Sequence, residues 1–364
     1  MNIADAERLA VALDSAGYEK SKANSSAEAL AKADLIAIVM CSVRQSAVDR
    51  VHWLAEKFKK TKVKTLLTGC ILKKDKRVFE QKFDYVIDIK DIGNLKKIAR
   101  ECALERTLQP GGMVARSARR AKPERVAAGP RVLAEEHFPS GYVPIMNGCN
   151  NFCSYCVVPY TRGREVSYPA KKIIAEVKKL VKQGHKEIWL LGQNVNSYKD
   201  PSVGSGQAIN FPKLLKMVND VPGNFVLNFM TSHPKDFFDE LIKTMTKCEK
   251  LSHDLNLPIQ SGDDEILKKM NRPYTVAQYK NLVKKIRKAL PKTRLSTDII
   301  VGFPGETKKQ FNNTVKTLKE IKYGVAFINK YSPRAGTVAA KLKDDVPWEE
   351  KKRREKILID LINK

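Results

Sequence analysis

The second half of the chain alternates short apolar runs with amphipathic stretches. Six runs have the length and apolar content of buried β-strands, namely residues 142–148, 187–192, 225–230, 251–259, 295–302 and 325–331. The stretches between them, such as 170–183, 236–247 and 276–290, place apolar residues three and four positions apart and carry lysines on the other face. Six strand–helix units predict a parallel α/β barrel with fewer strands than the complete eightfold one.

The first half predicts a smaller α/β layer. Residues 5–16 recur apolar at helical spacing, and residues 35–40, 65–68 and 85–89 are short apolar runs at the spacing of strand–helix–strand units. A small parallel sheet covered by helices is the economical interpretation.

Between the two patterns, residues 108–140 lose all periodicity and collect proline, glycine and arginine. We therefore divide the chain into an N-terminal domain (1–107), a basic linker (108–140), a barrel domain (141–340) and a C-terminal helical segment (341–364). The arginines of the linker are either solvated or in contact with phosphate, and the sequence leaves both open.

Charge and composition narrow the class of protein. The 364 residues carry 67 Lys and Arg against 40 Asp and Glu, a net charge of +27 that favours a polyanionic partner, although a basic surface also serves solubility. No apolar window is long enough for a membrane span, so integral membrane function is excluded. The start of the chain lacks the features of a secretory signal. We therefore expect a reducing compartment, the cytoplasm, in which the seven cysteines are thiols or metal ligands.

Cys149, Cys153 and Cys156 follow the first barrel strand in a C-x3-C-x2-C loop. Three thiolates so close together can hold three corners of a metal cluster and leave one metal position open. A structural zinc site would need a fourth ligand, and His185 or His233 would have to supply it from another loop. An iron–sulfur cluster is the favoured interpretation, with zinc and a chance set of buried thiols as the alternatives.

This loop and five further segments resemble the radical S-adenosylmethionine tRNA methylthiotransferase family. The segments are GCNNFCSYCVVPYTRGRE (148–165), LGQNVNSY (191–198), TSHP (231–234), LPIQSG (257–262), STDIIVGFPGET (296–307) and YSPRAGT (331–337). The segments 191–198 and 231–234 favour the MiaB-type branch over the threonylcarbamoyl-adenosine and ribosomal-protein branches. The MiaB-type branch acts on isopentenylated adenosine beside the anticodon.

The resemblance implies a partial (β/α)6 radical S-adenosylmethionine barrel whose 4Fe-4S cluster is held by Cys149, Cys153 and Cys156. It implies methylthiolation at C2 of N6-isopentenyladenosine at position 37 of tRNA, with S-adenosylmethionine as radical source and methyl donor. The implied partners are this tRNA, an electron donor such as flavodoxin or ferredoxin, and a sulfur source. The implied cofactor contacts are Tyr155, Gln193, Asn194, Gln260, Asp298, Gly302 and Glu306, for each of which ordinary loop and turn chemistry is the alternative.

Aromatic and basic residues near the same loops are candidate RNA contacts, namely Tyr160, Arg162, Arg164 and Tyr198. The tyrosines could stack on an extruded base, and the arginines could contact phosphate or a cofactor carboxylate. Packing is the alternative for each tyrosine. His233 precedes Pro234, so we expect it to start a helix and assign it no catalytic role.

The N-terminal half resembles the family's domain for a second, auxiliary 4Fe-4S cluster, which normally has three cysteine ligands. Cys41 and Cys70 match two of them, and the family pattern has its first cysteine just before the position of Met1. We therefore expect the reading frame to continue upstream and to encode that cysteine. Cys102 and Cys248 are expected to be structural thiols. The family's C-terminal all-β RNA-binding domain is not found in this chain, and the basic charge could compensate for it.

Two other functions stay open. The chain could be a methylthiotransferase of the threonylcarbamoyl-adenosine branch, or a remnant that cleaves S-adenosylmethionine or binds RNA without sulfur transfer. Iron counting after reconstitution separates a methylthiotransferase of either branch from the remnants, because two clusters hold about eight irons, the single cluster of a remnant that only cleaves S-adenosylmethionine holds about four, and an RNA-binding remnant holds none.

Overall fold

The computed structural model describes residues 2–15, 18–21, 35–42, 45–89 except 60 and 62, 91, 131–133, 140–202 and 208–363. The chain divides into two units, residues 2–137 and residues 138–364. Both are α/β structures with parallel strands, which confirms the predicted fold class.

The first unit contains five strands and three helices among its described residues. The strands are β1 (Glu19–Ser21), β2 (Leu35–Cys41), β3 (Lys64–Cys70), β4 (Tyr85–Val86) and β5 (Arg131–Leu133), and the helices are α1 (Asn2–Asp14), α2 (Gln45–Phe58) and α3 (Lys73–Glu80). The strands form one parallel sheet in the order β1-β5-β2-β3-β4. Strand β5 lies within the stretch that the sequence assigns to the linker, and it pairs between β1 and β2.

The second unit contains the six predicted barrel strands. They are β6 (Ser140–Pro144), β9 (Glu187–Leu191), β10 (Val226–Met230), β11 (Asp254–Asn256), β12 (Arg294–Val301) and β13 (Val325–Lys330), and a short antiparallel pair, β7 (Met146–Asn147) and β8 (Val166–Ser167), flanks the first of them. The helices are α4 (Val158–Thr161), α5 (Ala170–Lys182), α6 (Phe211–Asn219), α7 (Asp239–Met245), α8 (Asp264–Lys269), α9 (Val276–Ala289), α10 (Lys308–Ile321) and α11 (Trp348–Ile362). The predicted strand over 251–259 is shortened to β11, and the predicted helix over 236–247 becomes a 3-10 helix (Pro234–Asp236) followed by α7.

The six strands are parallel and follow the chain in order. Strands β6, β9 and β10 form one sheet and β11, β12 and β13 another, and a single bridge between Leu227 and Leu251 joins the two. Among the described residues, β6 and β13 are not paired with each other, so the barrel is open between its first and last strands.

Along each barrel strand, side chains point alternately to a buried outer face, which lies under the helices, and to an inner face. Leu295 and Ile299 of β12 belong to the core under the helices, whereas the intervening Ser296 and Asp298 lie on the opposite face. Residues paired across parallel strands lie on the same face, so the pairing of Asp298 with Phe327 places Phe327 on the inner face as well. Several apolar side chains of this inner face are exposed, namely Val226 (44%), Met230 (39%), Val325 (48%) and Phe327 (46%).

Helix α11 is part of the barrel unit. Leu358 is fully buried in the barrel core, and Ile357 and Leu361 pack against it. The sequence alone predicts residues 341–364 as a separate segment. The pattern of a single amphipathic helix does not show which core the helix packs against. Among the residues that the structure describes, no helix combines the length and the apolarity that crossing a bilayer requires.

Candidate active site

The cysteine loop begins with a close approach of two backbone segments. Gly148 has φ 77°, and a Cβ there would lie 2.1 Å from the carbonyl oxygen of Arg164. The next residue, Cys149, donates its backbone N–H to the carbonyl of Gly163 at 3.2 Å. Only glycine can occupy such a position without moving the backbone, so Gly148 fixes where the first cysteine lies.

Segment 269–272 holds the other side of the loop. The amide of Asn271 donates to the carbonyls of Asn151 (3.2 Å) and Phe152 (2.9 Å). The backbone N–H of Ser154 donates to the carbonyl of Met270 at 3.0 Å. These contacts hold the loop although the two segments are more than one hundred residues apart in the chain.

Burial controls the ionisation of the thiols. Burial raises the pKa of Cys149, and burial together with the neighbouring Cys153 raises the pKa of Cys156 to about 12. Thiols with raised pKa values stay protonated at neutral pH until a metal displaces the proton.

The described residues contain no group of three or more His, Cys, Asp or Glu side chains arranged around one ion. Each thiolate of an iron–sulfur cluster binds a separate iron, so its ligands need not converge as they would on a single zinc.

Buried polar atoms without a hydrogen-bond partner collect at the carboxyl ends of β9 and β10. They belong to Gln193, Asn194, Asn196, Ser232 and His233. Such atoms are rare in native proteins, and a cluster of them indicates a ligand that supplies the missing hydrogen bonds. The amino, carboxylate and hydroxyl groups of S-adenosylmethionine offer suitable donors and acceptors, so this end of the barrel fits the cofactor.

Gln260 and Asp298 are joined through the backbone. Gln260 has φ 74°, donates its N–H to the carbonyl of Asp298 at 2.8 Å, and accepts from the N–H of Ile300 at 2.9 Å. The carboxylate of Asp298 accepts from the amide of Asn256 at 3.2 Å. Asp298 thus occupies an inward position within β12, and the backbone of Gln260 pairs with the same strand beside it.

Glu306 is already engaged by the protein. Its Oε2 accepts from the backbone N–H of Gly302 at 2.6 Å and forms a buried ion pair with Arg354 at 2.7 Å. Burial raises the pKa of this carboxyl, although Gly302 and Arg354 oppose the change. Glu306, one of the predicted cofactor contacts, therefore holds the Gly302 loop through these contacts.

Gly302 has φ 67°, and a Cβ there would lie 2.4 Å from the side chain of Lys351 in α11. Tyr155, the remaining predicted cofactor residue, packs against an apolar cluster that contains Met270 and Phe303. Burial raises the pKa of its phenol well above the usual value. Its ring therefore lies beside the cysteine loop as a neutral packing surface.

Two of the four candidate RNA contacts are buried, which corrects the prediction for them. Arg162 is 3% exposed and donates to the side-chain oxygen of Asn147 at 3.2 Å. Tyr198 is 1% exposed and its hydroxyl donates to the carbonyl of Tyr168 at 2.7 Å. Neither can stack on a base or reach a phosphate without unpacking the barrel.

The other two candidates are exposed. The guanidinium of Arg164 lies over the ring of Phe152, 4.5 Å from its centre, and Tyr160 makes an edge contact with the same ring. Phe152 belongs to the cysteine loop, so an accessible aromatic and basic surface adjoins that loop.

In the first unit, β2 and β3 place Cys41 directly opposite Cys70. Paired residues of neighbouring parallel strands lie about 4.8 Å apart and point to the same face, so the two thiols can serve one site. Gly69 has φ 117°, and a Cβ there would lie 2.2 Å from a carbonyl oxygen of β2. The adjacent hydroxyls of Ser42 and Thr68 are buried without a partner.

The other cysteines behave differently. Cys248 is buried in the barrel core, as the sequence indicated, and Cys102 lies outside the described residues. No disulfide joins the six described cysteines.

Sequence reasoning missed one residue beside the site, Arg272, and the unpartnered ring nitrogen of another, His233. Arg272 is buried, and its guanidinium lies 3.6 Å from the Sγ of Cys153. His233 caps the 3-10 helix that follows it, as expected, by accepting from the N–H of Lys235 at 3.2 Å, but its Nε2 is buried without a partner. Burial lowers the pKa of His233 to about 2. No local spacing signals Arg272, because tertiary packing brings it to the cysteine loop.

Two protein families match this chain. The Radical SAM superfamily matches residues 143–318, and Uncharacterized protein family UPF0004 matches residues 1–89. The first match covers the end of β6, strands β9 to β12 and the cysteine loop, and the second covers Cys41 and Cys70.

Several curated relatives align with the whole chain. The tRNA-2-methylthio-N(6)-dimethylallyladenosine synthase of Clostridium novyi is 42% identical over 371 residues, which cover 100% of this chain and 79% of that protein. The proteins of the same name from Clostridium botulinum and Endomicrobium trichonymphae are each 40% identical, and the alignments cover all of this chain and 79% and 82% of theirs.

Among solved structures, two of the radical S-adenosylmethionine methyltransferase TsrM from Kitasatospora setae share this fold. The one with cobalamin and a 4Fe-4S cluster has a TM-score of 0.61 at 16% identity and covers 92% of this chain and 70% of that one. The one with tryptophan and a cofactor analogue has a TM-score of 0.62 at 17% identity and covers 89% and 69%. At such identities the likeness concerns the fold alone.

Proposed function

The chain belongs to the radical S-adenosylmethionine tRNA methylthiotransferases of the MiaB type, and on that premise we propose that it adds a methylthio group to C2 of N6-isopentenyladenosine at position 37 of tRNA. Methylthiolation of tRNA with a 4Fe-4S cluster and S-adenosylmethionine is the activity of this enzyme class. The proposal goes beyond this shared activity in naming isopentenyladenosine as the base that is modified.

We assign the barrel cluster to Cys149, Cys153 and Cys156. When bound, such a cluster supplies the electron that cleaves S-adenosylmethionine to a radical able to remove a hydrogen from the base. Gln193 and Asn194 would bind and orient the cofactor through their unpartnered oxygens. Asp298 would contribute from its inward position on β12, next to the backbone of Gln260. Cys41 and Cys70 would provide two ligands of the auxiliary cluster in the first unit.

The charges on the inner face of the barrel are the observation that supports isopentenyladenosine as the substrate base. The charged side chains at inward positions of the six strands are Glu187, Asp254, Arg294 and Asp298. The one cation among them, Arg294, forms a double hydrogen bond with Asp254 at 2.7 and 2.8 Å.

A threonylcarbamoyl group brings a carboxylate, which such a surface repels. An isopentenyl group is neutral and apolar, and exposed apolar side chains such as Val325 and Phe327 can cover it. The inner face therefore suits the isopentenylated base better than its competitor.

The decisive experiment offers the anaerobically reconstituted enzyme two anticodon stem-loops that carry either isopentenyladenosine or threonylcarbamoyl-adenosine. Mass spectrometry of the nucleosides should show the methylthio product from the first substrate only. The proposal would be contradicted by a methylthio product from the second substrate, or by the absence of a methylthio product from both substrates.

Two variants place a carboxylate at matched apolar positions. Phe327→Asp should reduce the yield from isopentenyladenosine strongly, because it adds charge to the inner face. Ile359→Asp, at an equally exposed apolar position on α11, should leave the yield unchanged.

Cys153→Ala should abolish cleavage of S-adenosylmethionine while the circular dichroism spectrum of the barrel is retained.

The remaining partners follow from the chemistry. A one-electron donor of low potential, such as flavodoxin or ferredoxin, and a sulfur source are required for turnover. Omission of the electron donor should stop formation of 5′-deoxyadenosine, and omission of the sulfur source should stop methylthiolation after any stored sulfur has been used.

A further inference from the structure

Arg272 is a buried cation beside the cysteine loop. It is 6% exposed, and each nitrogen of its guanidinium has a contact. The first terminal nitrogen lies 3.6 Å from the Sγ of Cys153, the second donates to the carbonyl of Pro258 at 2.6 Å, and Nε donates to the hydroxyl of Tyr274 at 2.7 Å. The position of the charge is therefore fixed from three sides.

This cation has no carboxylate to compensate it. Among the ion pairs of the described residues, none involves Arg272, although the buried Arg354 has two carboxylate partners. An arginine keeps its charge in proteins. A buried charge without a counter-charge is strongly unfavourable, so the anion that balances Arg272 must come from elsewhere.

The cysteine loop itself would supply an anion beside Arg272 once a metal cluster is bound to it. An iron–sulfur cluster is bound through thiolates, so a loaded site would place negative charge next to the guanidinium. A further electron added to a buried cluster increases this negative charge. A fixed cation at hydrogen-bond distance from a ligand sulfur stabilises the reduced state more than the oxidised one, because charge and hydrogen bonds at the sulfurs set cluster potentials.

We propose that Arg272 is a positioning residue that holds a positive charge against Cys153, and that this charge makes one-electron reduction of the barrel cluster easier. The proposal rests on the assignment of that cluster to Cys149, Cys153 and Cys156. In the step concerned, the cluster gains one electron from the external reductant, no bond is broken, and the added charge lies beside the guanidinium.

The test compares the full chain with Arg272→Met, Arg272→Lys and Tyr274→Phe after anaerobic reconstitution. The fraction of reduced cluster is followed by electron paramagnetic resonance at a series of fixed potentials, at equal iron content. Arg272→Met should lower the ratio of reduced to oxidised cluster at least about tenfold at a given potential, a shift of ~59 mV for one electron. Arg272→Lys should recover part of this shift.

Tyr274→Phe is the matched control. It removes the hydroxyl that accepts from Nε and that directs its single proton toward the carbonyls of Ile259 (3.0 Å) and Pro258 (3.3 Å), but it keeps the charge of Arg272. It should lower the melting temperature and leave the midpoint potential close to that of the parent chain. An unchanged potential in Arg272→Met, or an equal shift in Tyr274→Phe, would overturn the proposal.

A second measurement does not require a loaded cluster. In the metal-free protein Arg272 is an uncompensated charge, so Arg272→Met should melt at or above the temperature of the metal-free parent. A merely structural arginine predicts a clear loss of thermal stability instead, and that result would count against the proposal. Failure of the cluster assignment itself gives a different result, because Cys153→Ala would then retain the iron of the barrel site.

Discussion

Replacing Gly148 by alanine tests whether the cysteine loop depends on the close backbone approach at its start. The added Cβ would lie 2.1 Å from the carbonyl oxygen of Arg164 and 2.6 Å from that of Gly163. Both are backbone atoms, which cannot swing aside as a flexible side chain would. The loop must therefore move, and the hydrogen bond from the Cys149 N–H to Gly163 is lost.

The chain contains a matched control, Gly184→Ala. Gly184 has φ 91°, similar to the 77° of Gly148, but nothing lies within 4 Å of the position of its Cβ. Both variants carry the cost of a left-handed alanine, about 1–2 kcal/mol. Gly148→Ala adds an overlap of about 1–3 kcal/mol and a lost hydrogen bond of about 1 kcal/mol. We therefore expect it to lose about 2–4 kcal/mol more unfolding free energy than the control.

The assay is urea unfolding of the metal-free chains, followed by circular dichroism, together with the iron content after reconstitution. A difference of this size corresponds to a melting temperature roughly 5–12 °C lower than that of the control. Gly148→Ala should also lose most of the barrel iron, because Cys149 is displaced, whereas Gly184→Ala should keep it. Equal stability and equal iron content in the two variants would refute the reasoning.

Three further predictions concern single contacts. His233 has a pKa lowered to about 2 by burial, so the unfolded chain binds a proton below its ordinary pKa while the folded chain does not. Stability should therefore fall by about 2 kcal/mol between pH 6.5 and pH 5, and His233→Asn, which keeps the cap acceptor, should reduce this slope in pH-dependent urea unfolding. Tyr198→Phe should lose about 1 kcal/mol of stability without changing tRNA affinity in filter binding, whereas Arg164→Ala should reduce the salt slope of that affinity by about 1. Glu306→Gln should lower the unfolding free energy by about 3–5 kcal/mol, because it leaves the buried Arg354 without one of its two carboxylates; a loss below about 1 kcal/mol would contradict this role.

The elements that sequence predicted well are those with local causes. Alternating apolar runs identified all six barrel strands, because a strand buried under helices needs apolar residues whatever its neighbours are. The cysteine loop was equally visible, since its three cysteines lie within eight residues. Helices α9 and α10 begin at capping boxes that start with Thr275 and Thr307, which is again a short-range signal.

The features that sequence did not predict depend on packing between distant segments. Tyr198 lies in a family motif, and only its hydrogen bond to Tyr168 distinguishes a core tyrosine from one that stacks on a base. Arg272 stands in a basic stretch in which any arginine could have been solvated. Its burial against Cys153 follows from the hydrogen bonds that hold segment 269–272 to the cysteine loop.

The distribution of charge suggests how a polyanion and this barrel can fit together. The chain as a whole carries a net charge of +27, yet three of the four charged side chains at inward strand positions are acidic. Phosphates are therefore attracted by the basic surface and repelled from the interior, which a neutral base can still enter. A target base that leaves its stack satisfies both conditions, because its phosphates stay outside while its ring reaches the inner face. The exposed Arg164 beside Phe152 and the inward Phe327 test the two halves of this argument separately, the first through the salt dependence of affinity and the second through product yield.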